Sequence, residues 1–361
     1  MSCPTRQPTR TNTEAPVKVG IIGYAGCGKT TFFNALAAIA PEASSAKINL
    51  REVKVPDERI DRLSALYQPQ KTIYATISLV DLPGHSPGSG GGFEAQSLAK
   101  MREMDLLTIV VRAFPSHLHA TQPNPKGEAN AMLAELLLAD QVMVERKLER
   151  MNKEKNKGPE KELMEKLHAA LEQEIWLKDL DLTPNEIETL TGYRFLTLKP
   201  ALVVLNTPEE MADDDSAAPL LDNLSALPCP VFPISAKVES EIALLDTPDQ
   251  LSFLADLGIQ GTAKNRFIRK VYHMLDYISF FTVGEDEVRA WTITKGQNAQ
   301  QAAGKIHTDL AKHFIRAERM RSEDLLNMGS EAKVKEAGKF ELKGKTYLPE
   351  DGDILHIRAN A

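Results

Sequence analysis

The segment Gly23-Tyr-Ala-Gly-Cys-Gly-Lys-Thr30 constrains this chain more than any other. It fits GxxxxGK[ST], follows the apolar run Val17–Ile22 and opens a helical pattern over Thr30–Ala40. Strand, glycine loop and helix in that order form a phosphate-binding loop. Its glycines let backbone N–H groups converge on phosphate oxygens, and the helix start adds its positive dipole end. Lys29 is placed to reach β- and γ-phosphates, and the Thr30 hydroxyl to coordinate Mg²⁺. Further apolar runs lie at Ile73–Val80, Leu106–Val111, Ala201–Leu205 and Val231–Ile234, most without polar alternation; Thr72–Ser78 partly alternates and reads as an edge strand. Helical patterns between them, such as Glu94–Glu103, imply a mostly parallel α/β sheet.

Two stretches break that rhythm. In residues 128–181, Leu133, Leu137, Val144, Leu148 and Met151 recur at helical spacing. Gly158–Pro159 then marks a turn, and Leu163, Leu167, Leu171 and Ile175 resume the pattern. This predicts a helical hairpin inserted in the α/β domain and protruding from it, with a charged, solvated tip, in preference to two ordinary core-covering helices. From 278 onward, short strand-like runs (Ile278–Val283, Val288–Ile293, Thr346–Leu348, Ile354–Ile357) surround the amphipathic stretch Ala299–Phe314, as in a small α+β module. The predicted organisation is a flexible tail at 1–16, a nucleotide domain at 17–127 and 182–277, the hairpin at 128–181, and the C-terminal module at 278–361.

Charge excludes some functions. The net −7 argues against coating nucleic acid by bulk charge, yet residues 1–127 hold 14 basic and 10 acidic side chains. Three separated cysteines (Cys3, Cys27, Cys229) offer neither a disulfide framework nor a CxxC site and suit a reducing, cytoplasmic setting. Cys27, near a helix start, is a candidate for a lowered thiol pKa. The absence of a long apolar stretch predicts no membrane span.

Three more motifs follow the loop. Asp81-Leu-Pro-Gly84 ends an apolar run 52 residues beyond Lys29; its Asp suits Mg²⁺, and Gly84 offers a backbone N–H to a γ-phosphate. His85 comes next, where a side chain can orient an attacking water. Asn206-Thr-Pro-Glu209 stands where guanine-reading proteins carry NKxD; losing the Lys and lengthening the Asp opens adenine recognition. Ser235-Ala236-Lys237 supplies a base-contacting loop.

This order is that of a Ras-like P-loop GTPase. The intervening residues resemble the YchF family, within the Obg-related GTPases. They include Val55-Pro-Asp-Glu-Arg-Ile-Asp-Arg-Leu63, Gln68-Pro-Gln-Lys71, Met101-Arg-Glu103, Val111-Arg112 and Ser235-Ala-Lys-Val-Glu239. Toward the C-terminus come Phe281-Thr-Val-Gly-Glu285, Val288-Arg-Ala-Trp-Thr292, Gln301-Ala-Ala-Gly-Lys-Ile-His307 and Phe314-Ile-Arg-Ala-Glu318. The resemblance implies a nucleotide domain, a helical coiled-coil insertion and a C-terminal TGS domain of β-grasp type. It also implies hydrolysis of ATP, GTP or both, and association with ribosomes or RNA through the TGS and helical parts. Three positions depart from the family pattern. Gly26 replaces an Asn linked to potassium binding, Ser45 stands for the switch I threonine as a Mg²⁺ ligand, and His85 replaces a hydrophobic residue.

The expected nucleotide-binding set is Gly23, Gly26, Cys27, Gly28, Lys29, Thr30, Thr31, Gly84, Asn206, Glu209, Ser235, Ala236 and Lys237. Thr30, Asp81 and Ser45 are the expected metal ligands, and His85 the catalytic residue. Lys305, Lys312, Arg316, Arg319 and Arg321 are candidate RNA contacts. Two functions fit: an NTP-hydrolysing switch, and a nucleotide-dependent RNA- or ribosome-binding module with negligible hydrolysis. A kinase-like reading lacks a second substrate site.

Overall fold

The computed structural model describes residues 17–39, 49–84, 93–115, 122–212, 214–256 and 261–360. The predicted tail, Ser45, His85 and the glycine-rich stretch after it lie outside the described residues. In chain order the strands are β1 (Val17–Gly23), β2 (Asn49–Lys54), β3 (Lys71–Ile73), β4 (Thr76–Asp81), β5 (Leu106–Arg112) and β6 (Ala201–Asn206). Then come β7 (Val231–Ile234), β8 (Tyr277–Thr282), β9 (Glu287–Thr294), β10 (Phe314–Arg321), β11 (Glu341–Lys343) and β12 (Asp353–Ala359). The helices are α1 (Lys29–Ala37), α2 (Glu58–Tyr67), α3 (Ala95–Arg102), α4 (Pro125–Lys153), α5 (Pro159–Glu172), α6 (Pro184–Leu190) and α7 (Asp214–Leu224). They continue with α8 (Ala236–Ile242), α9 (Thr247–Asp256), α10 (Ala263–Met274), α11 (Ala299–Ile306), α12 (Thr308–Lys312), α13 (Ser322–Met328) and α14 (Glu331–Glu336).

Contacts divide the chain into two compact units. Val17–Val53 joins Ser78–Phe267, and Lys54–Ile77 joins Ile268–Ala361. The sequence reading kept 54–77 in the nucleotide domain. The difference arises inside the apolar run Ile73–Val80, which is two strands. β3 pairs in parallel with β9, while β4 lies next to β1 in the other sheet.

The first unit holds a sheet in the order β2-β4-β1-β5-β6-β7. β1, β5, β6 and β7 run parallel, and β5 and β6 are buried along their whole length, which is why their sequences show no alternation. Helix α4 begins at Asn124, whose side chain accepts the Gly127 N–H (3.0 Å), followed by Pro125 at the first helical position. Its first half packs Ala129, Met132, Leu133 and Leu136 into the same core as Ile109 and Val203 of the sheet. Its second half and α5 bury Val144, Met151, Leu163, Met164 and Leu167 in a continuation of that core. The insertion is therefore welded to the sheet rather than standing apart. The weld includes Asp140, fully buried, which accepts bonds from the Thr197 N–H (2.7 Å), the Thr197 hydroxyl (2.8 Å) and Arg102 (2.8 Å). A buried carboxylate is tolerated because each bond replaces lost hydration.

The second unit holds a sheet in the order β11-β10-β12-β8-β9-β3. A hairpin β8–β9, the helices α11 and α12, and an antiparallel pair β10–β11 joined through α13 and α14 lead to β12, which lies parallel to β8 at the centre. That is the expected β-grasp arrangement, with Ala299, Ala302 and Ala303 of α11 packed on Phe280, Phe314 and Leu355. The earlier segment is fastened on by Arg59, which bridges Asp57 and Asp351, while the Tyr67 hydroxyl donates to Glu331 (2.7 Å).

Several local expectations change here. The strand expected at Thr346–Leu348 is irregular, and the sheet instead takes β10 and β11. The helix expected over Ala299–Phe314 breaks at His307, which is extended at φ −162°, so Lys305 and Lys312 do not share one helix face. Arg319 is buried against Asp353 (2.7 Å) and Glu350 (3.2 Å), and Arg321 pairs with Glu350 (2.5 Å). Arg319 thus serves the interior of the unit and is not a free phosphate contact.

Candidate nucleotide site

The carboxyl end of β1 opens into the glycine loop, and the neighbouring β4 ends at Asp81, so both motifs meet at one edge of the sheet. Gly23 lies where a Cβ would come within 2.7 Å of the Val110 carbonyl. Gly28 takes φ +85° as the cap of α1, and a Cβ there would come within 2.1 Å of the Asn206 amide nitrogen. The loop cannot hold this course with a side chain at that position. Gly26 (φ +78°) and the buried Cys27 complete the turn, and Thr31 is exposed on the first turn of α1.

Lys29 and Asp81 form an ion pair at 2.5 Å, both nearly buried. The Thr30 hydroxyl donates to the other Asp81 oxygen at 3.2 Å. An ammonium, a hydroxyl and a carboxylate thus converge where the loop's N–H groups begin. Gly84 follows, its Cα side in ordinary contact distance of Ala25 in the loop.

On the other flank, Asn206 acts as a strap. Its amide N–H donates to the Cys27 carbonyl (3.0 Å), and its oxygen accepts the Ala236 N–H (3.0 Å). One buried side chain at the end of β6 therefore ties the phosphate loop to the Ser235–Lys237 loop. Glu209 and Lys237 form an exposed ion pair, and Glu209 holds the Lys237 ammonium above its ordinary pKa. The buried Ser235 hydroxyl has no hydrogen-bond partner among the described residues. Thr207, standing where guanine readers carry Lys, donates its hydroxyl to the Met211 carbonyl (2.9 Å).

Cys27 does not fit the lowered-pKa reading. Burial pushes its thiol up to about 12, outweighing the nearby Lys29 and helix start, so thiolate is scarce at neutral pH.

Some residues beside the site carry no role in the sequence reading. Arg112, buried at the end of β5, donates from its backbone N–H (3.2 Å) and its Nε (3.1 Å) to Glu128 at the root of α4. Tyr24, inside the phosphate loop, shares a hydrogen bond with Glu135 on α4. Burial and that carboxylate push its hydroxyl up to about 12. Phe114 sits 3.7 Å beyond a Cβ position on Gly28. A charged residue ending the otherwise apolar run Leu106–Val111 was the available signal for Arg112. Glu239 on α8 accepts the Ala263 (2.7 Å) and Lys264 (3.1 Å) N–H groups at the start of α10.

The chain resembles known proteins along most of its length. A family model described as 50S ribosome-binding GTPase matches residues 18–166, and one described as YchF-GTPase_C, a protein of unknown function (DUF933), matches residues 277–360. The chain is 38% identical to the ribosome-binding ATPase YchF of Pasteurella multocida, over 95% of this chain and 99% of that one. It is 36% identical to the protein of that name from Bacillus subtilis, over 94% and 98%. The solved YchF GTPase of Schizosaccharomyces pombe superposes with a TM-score of 0.84 at 29% identity, over 97% of this chain and all of that one.

Proposed function

The chain belongs to the YchF family, and from that membership we propose that it is a ribosome-associated NTP hydrolase, with ATP as its preferred nucleotide. The convergence of Lys29, Thr30 and Asp81 beside the glycine loop carries the reading. Lys29 meets the β- and γ-phosphates, and the loop N–H groups and Gly84 N–H bind their oxygens. Thr30 and Asp81 supply hard oxygen donors that fit Mg²⁺. Among the described residues no cluster of three His, Cys, Asp or Glu competes for a metal, which suits an ion held mainly by nucleotide phosphates. When bound, Mg²⁺ would neutralise charge on the transferring phosphoryl group. Ser45 is proposed as a further ligand from its sequence position.

The base side favours adenine. Guanine recognition needs a free carboxylate for the N1–H and amino groups, and here Lys237 engages Glu209. The set Asn206, Glu209, Ser235, Ala236 and Lys237 is proposed to frame the base, with Asn206 holding the frame. Side-by-side equilibrium titration with ATP and GTP analogues should show ATP bound more tightly. GTP bound equally or more tightly would overturn this reading of Glu209.

His85 is proposed to orient the attacking water, from its place directly after Gly84. His85→Ala should slow single-turnover hydrolysis at least about tenfold with little change in nucleotide affinity. An unchanged rate removes it from the mechanism. The ribosome is the proposed partner, since the relatives above carry that association in their names. With that partner the cytoplasm is the proposed location; separately, no described helix is long and apolar enough to cross a membrane.

A further inference from the structure

Glu239 lies on α8, one helical turn beyond Ser235, and is buried. Its carboxylate faces the start of α10, where one oxygen accepts the Ala263 N–H (2.7 Å) and the other the Lys264 N–H (3.1 Å). Those donors sit in the first turn of a helix, whose N–H groups find no partner within the helix itself. The positive end of the α10 dipole favours an anion there. Two charge-assisted bonds replace the hydration that the buried carboxylate gives up. Taken alone, this makes Glu239 a helix cap supplied by another helix. Its backbone gives it a second connection. The Glu239 N–H donates to the Ser235 carbonyl (3.0 Å), closing the first turn of α8 onto the proposed base loop.

The anchor that Glu239 grips is itself fixed. Phe267, one turn into α10, is fully buried and meets the Phe32 ring of α1 edge-on, with centroids 5.0 Å apart, and the Phe232 ring of β7 at 5.7 Å. Helix α1 is the one that carries Lys29 and Thr30. On the opposite side, Asn206 joins the Ala236 N–H to the Cys27 carbonyl of the phosphate loop. These contacts close a ring that runs from the phosphate loop through α1, the start of α10, Glu239, Ser235–Ala236 and Asn206 back to the phosphate loop. Helix α8 has 7 residues, and its cap residue Ser235 makes no side-chain capping bond. So short a helix has little stability of its own and takes its position from its clamps.

We infer that Glu239 is a positioning residue for the nucleotide base: it holds the Ser235–Lys237 loop in place relative to the phosphate loop, and so acts on recognition of the base and not on phosphoryl transfer. The inference rests on the proposed base frame, and the test separates the two. Affinities for MgATP and for Mg-tripolyphosphate, the same phosphate chain without sugar or base, are measured on the full chain by displacement of a fluorescent ATP analogue. Single-turnover hydrolysis at saturating ATP is measured beside them. Glu239→Ala should weaken ATP binding about tenfold while tripolyphosphate affinity and the saturated rate stay within about twofold of wild type. Glu239→Gln keeps the side-chain length and one carbonyl acceptor, and should show the same split at about threefold. It carries the test should Glu239→Ala fail to fold. Both ligands report on the same folded molecules, so a loss of stability does not imitate the split. Unchanged ATP affinity in the variants overturns the inference. So does an equal loss for the two ligands, which would make Glu239 a support of the fold as a whole, and so does a slower saturated rate at unchanged affinity. Those three results leave the base frame standing. A wild type that binds tripolyphosphate as tightly as ATP overturns the base frame, and the inference with it.

Discussion

Replacing Lys29 with Ala is expected to cut ATP hydrolysis by about 10³-fold or more and to weaken ATP binding in parallel. The effect has two parts that can be separated. Among the described residues Lys29 is the charged side chain paired with Asp81, at 2.5 Å in a nearly dry setting. Its removal strands the Asp81 carboxylate, leaving among the described residues the Thr30 hydroxyl at 3.2 Å. An uncompensated buried charge of this kind costs about 3–5 kcal/mol, so Lys29→Ala should also unfold at lower temperature. The double variant Lys29→Met, Asp81→Asn removes both charges and should recover much of that stability. It should recover no hydrolysis, because neither phosphate nor Mg²⁺ finds its ligand. Single-turnover rates and thermal melts on the same samples decide it. A Lys29→Ala rate within tenfold of wild type would mean that Lys29 is a structural ion-pair partner and not a phosphate ligand.

What sequence made legible at this site was local, and what it hid was cooperative. Gly23 of the glycine loop, Asp81 and Asn206 each end a buried strand, directly after the apolar run that announces it in sequence. Nothing local distinguishes the two halves of Ile73–Val80, because both satisfy a strand. Only the partners, β9 for one half and β1 for the other, separate them and carry 54–77 into the C-terminal unit. Arg319 shows the same limit. Its neighbours Arg316 and Arg321 made a plausible basic face. Yet Asp353 and Glu350, more than thirty residues later, bury it. The root of α4 was hidden for a third reason. Glu128 and Glu135 read as ordinary acidic positions on a long helix, and only the folded chain brings them to Arg112 and Tyr24.

That cooperative character makes Asn206 the second decisive residue. It carries no charge for phosphate and reads as half of a base-recognition motif. In the fold its amide is spent on protein: one bond to the Cys27 carbonyl, one from the Ala236 N–H. Asn206→Ala leaves both backbone groups buried without partners, at roughly 1–3 kcal/mol each. If the strap holds the loops in their binding geometry, most of that energy appears as lost affinity. ATP binding should fall by about 10²-fold, and the thermal shift produced by saturating nucleotide should shrink accordingly. Asn206→Asp should be no better. It keeps the acceptor for Ala236 but sets a carboxylate against the Cys27 carbonyl, inside a loop that must admit phosphates. Glu209→Gln breaks an exposed ion pair and should change thermal stability little by comparison. An Asn206→Ala protein that binds ATP within threefold of wild type would show that the phosphate loop holds its shape unaided. Gly28 lies so close to this same amide that an added Cβ would come within 2.1 Å of its nitrogen, so loop and strap are in direct contact.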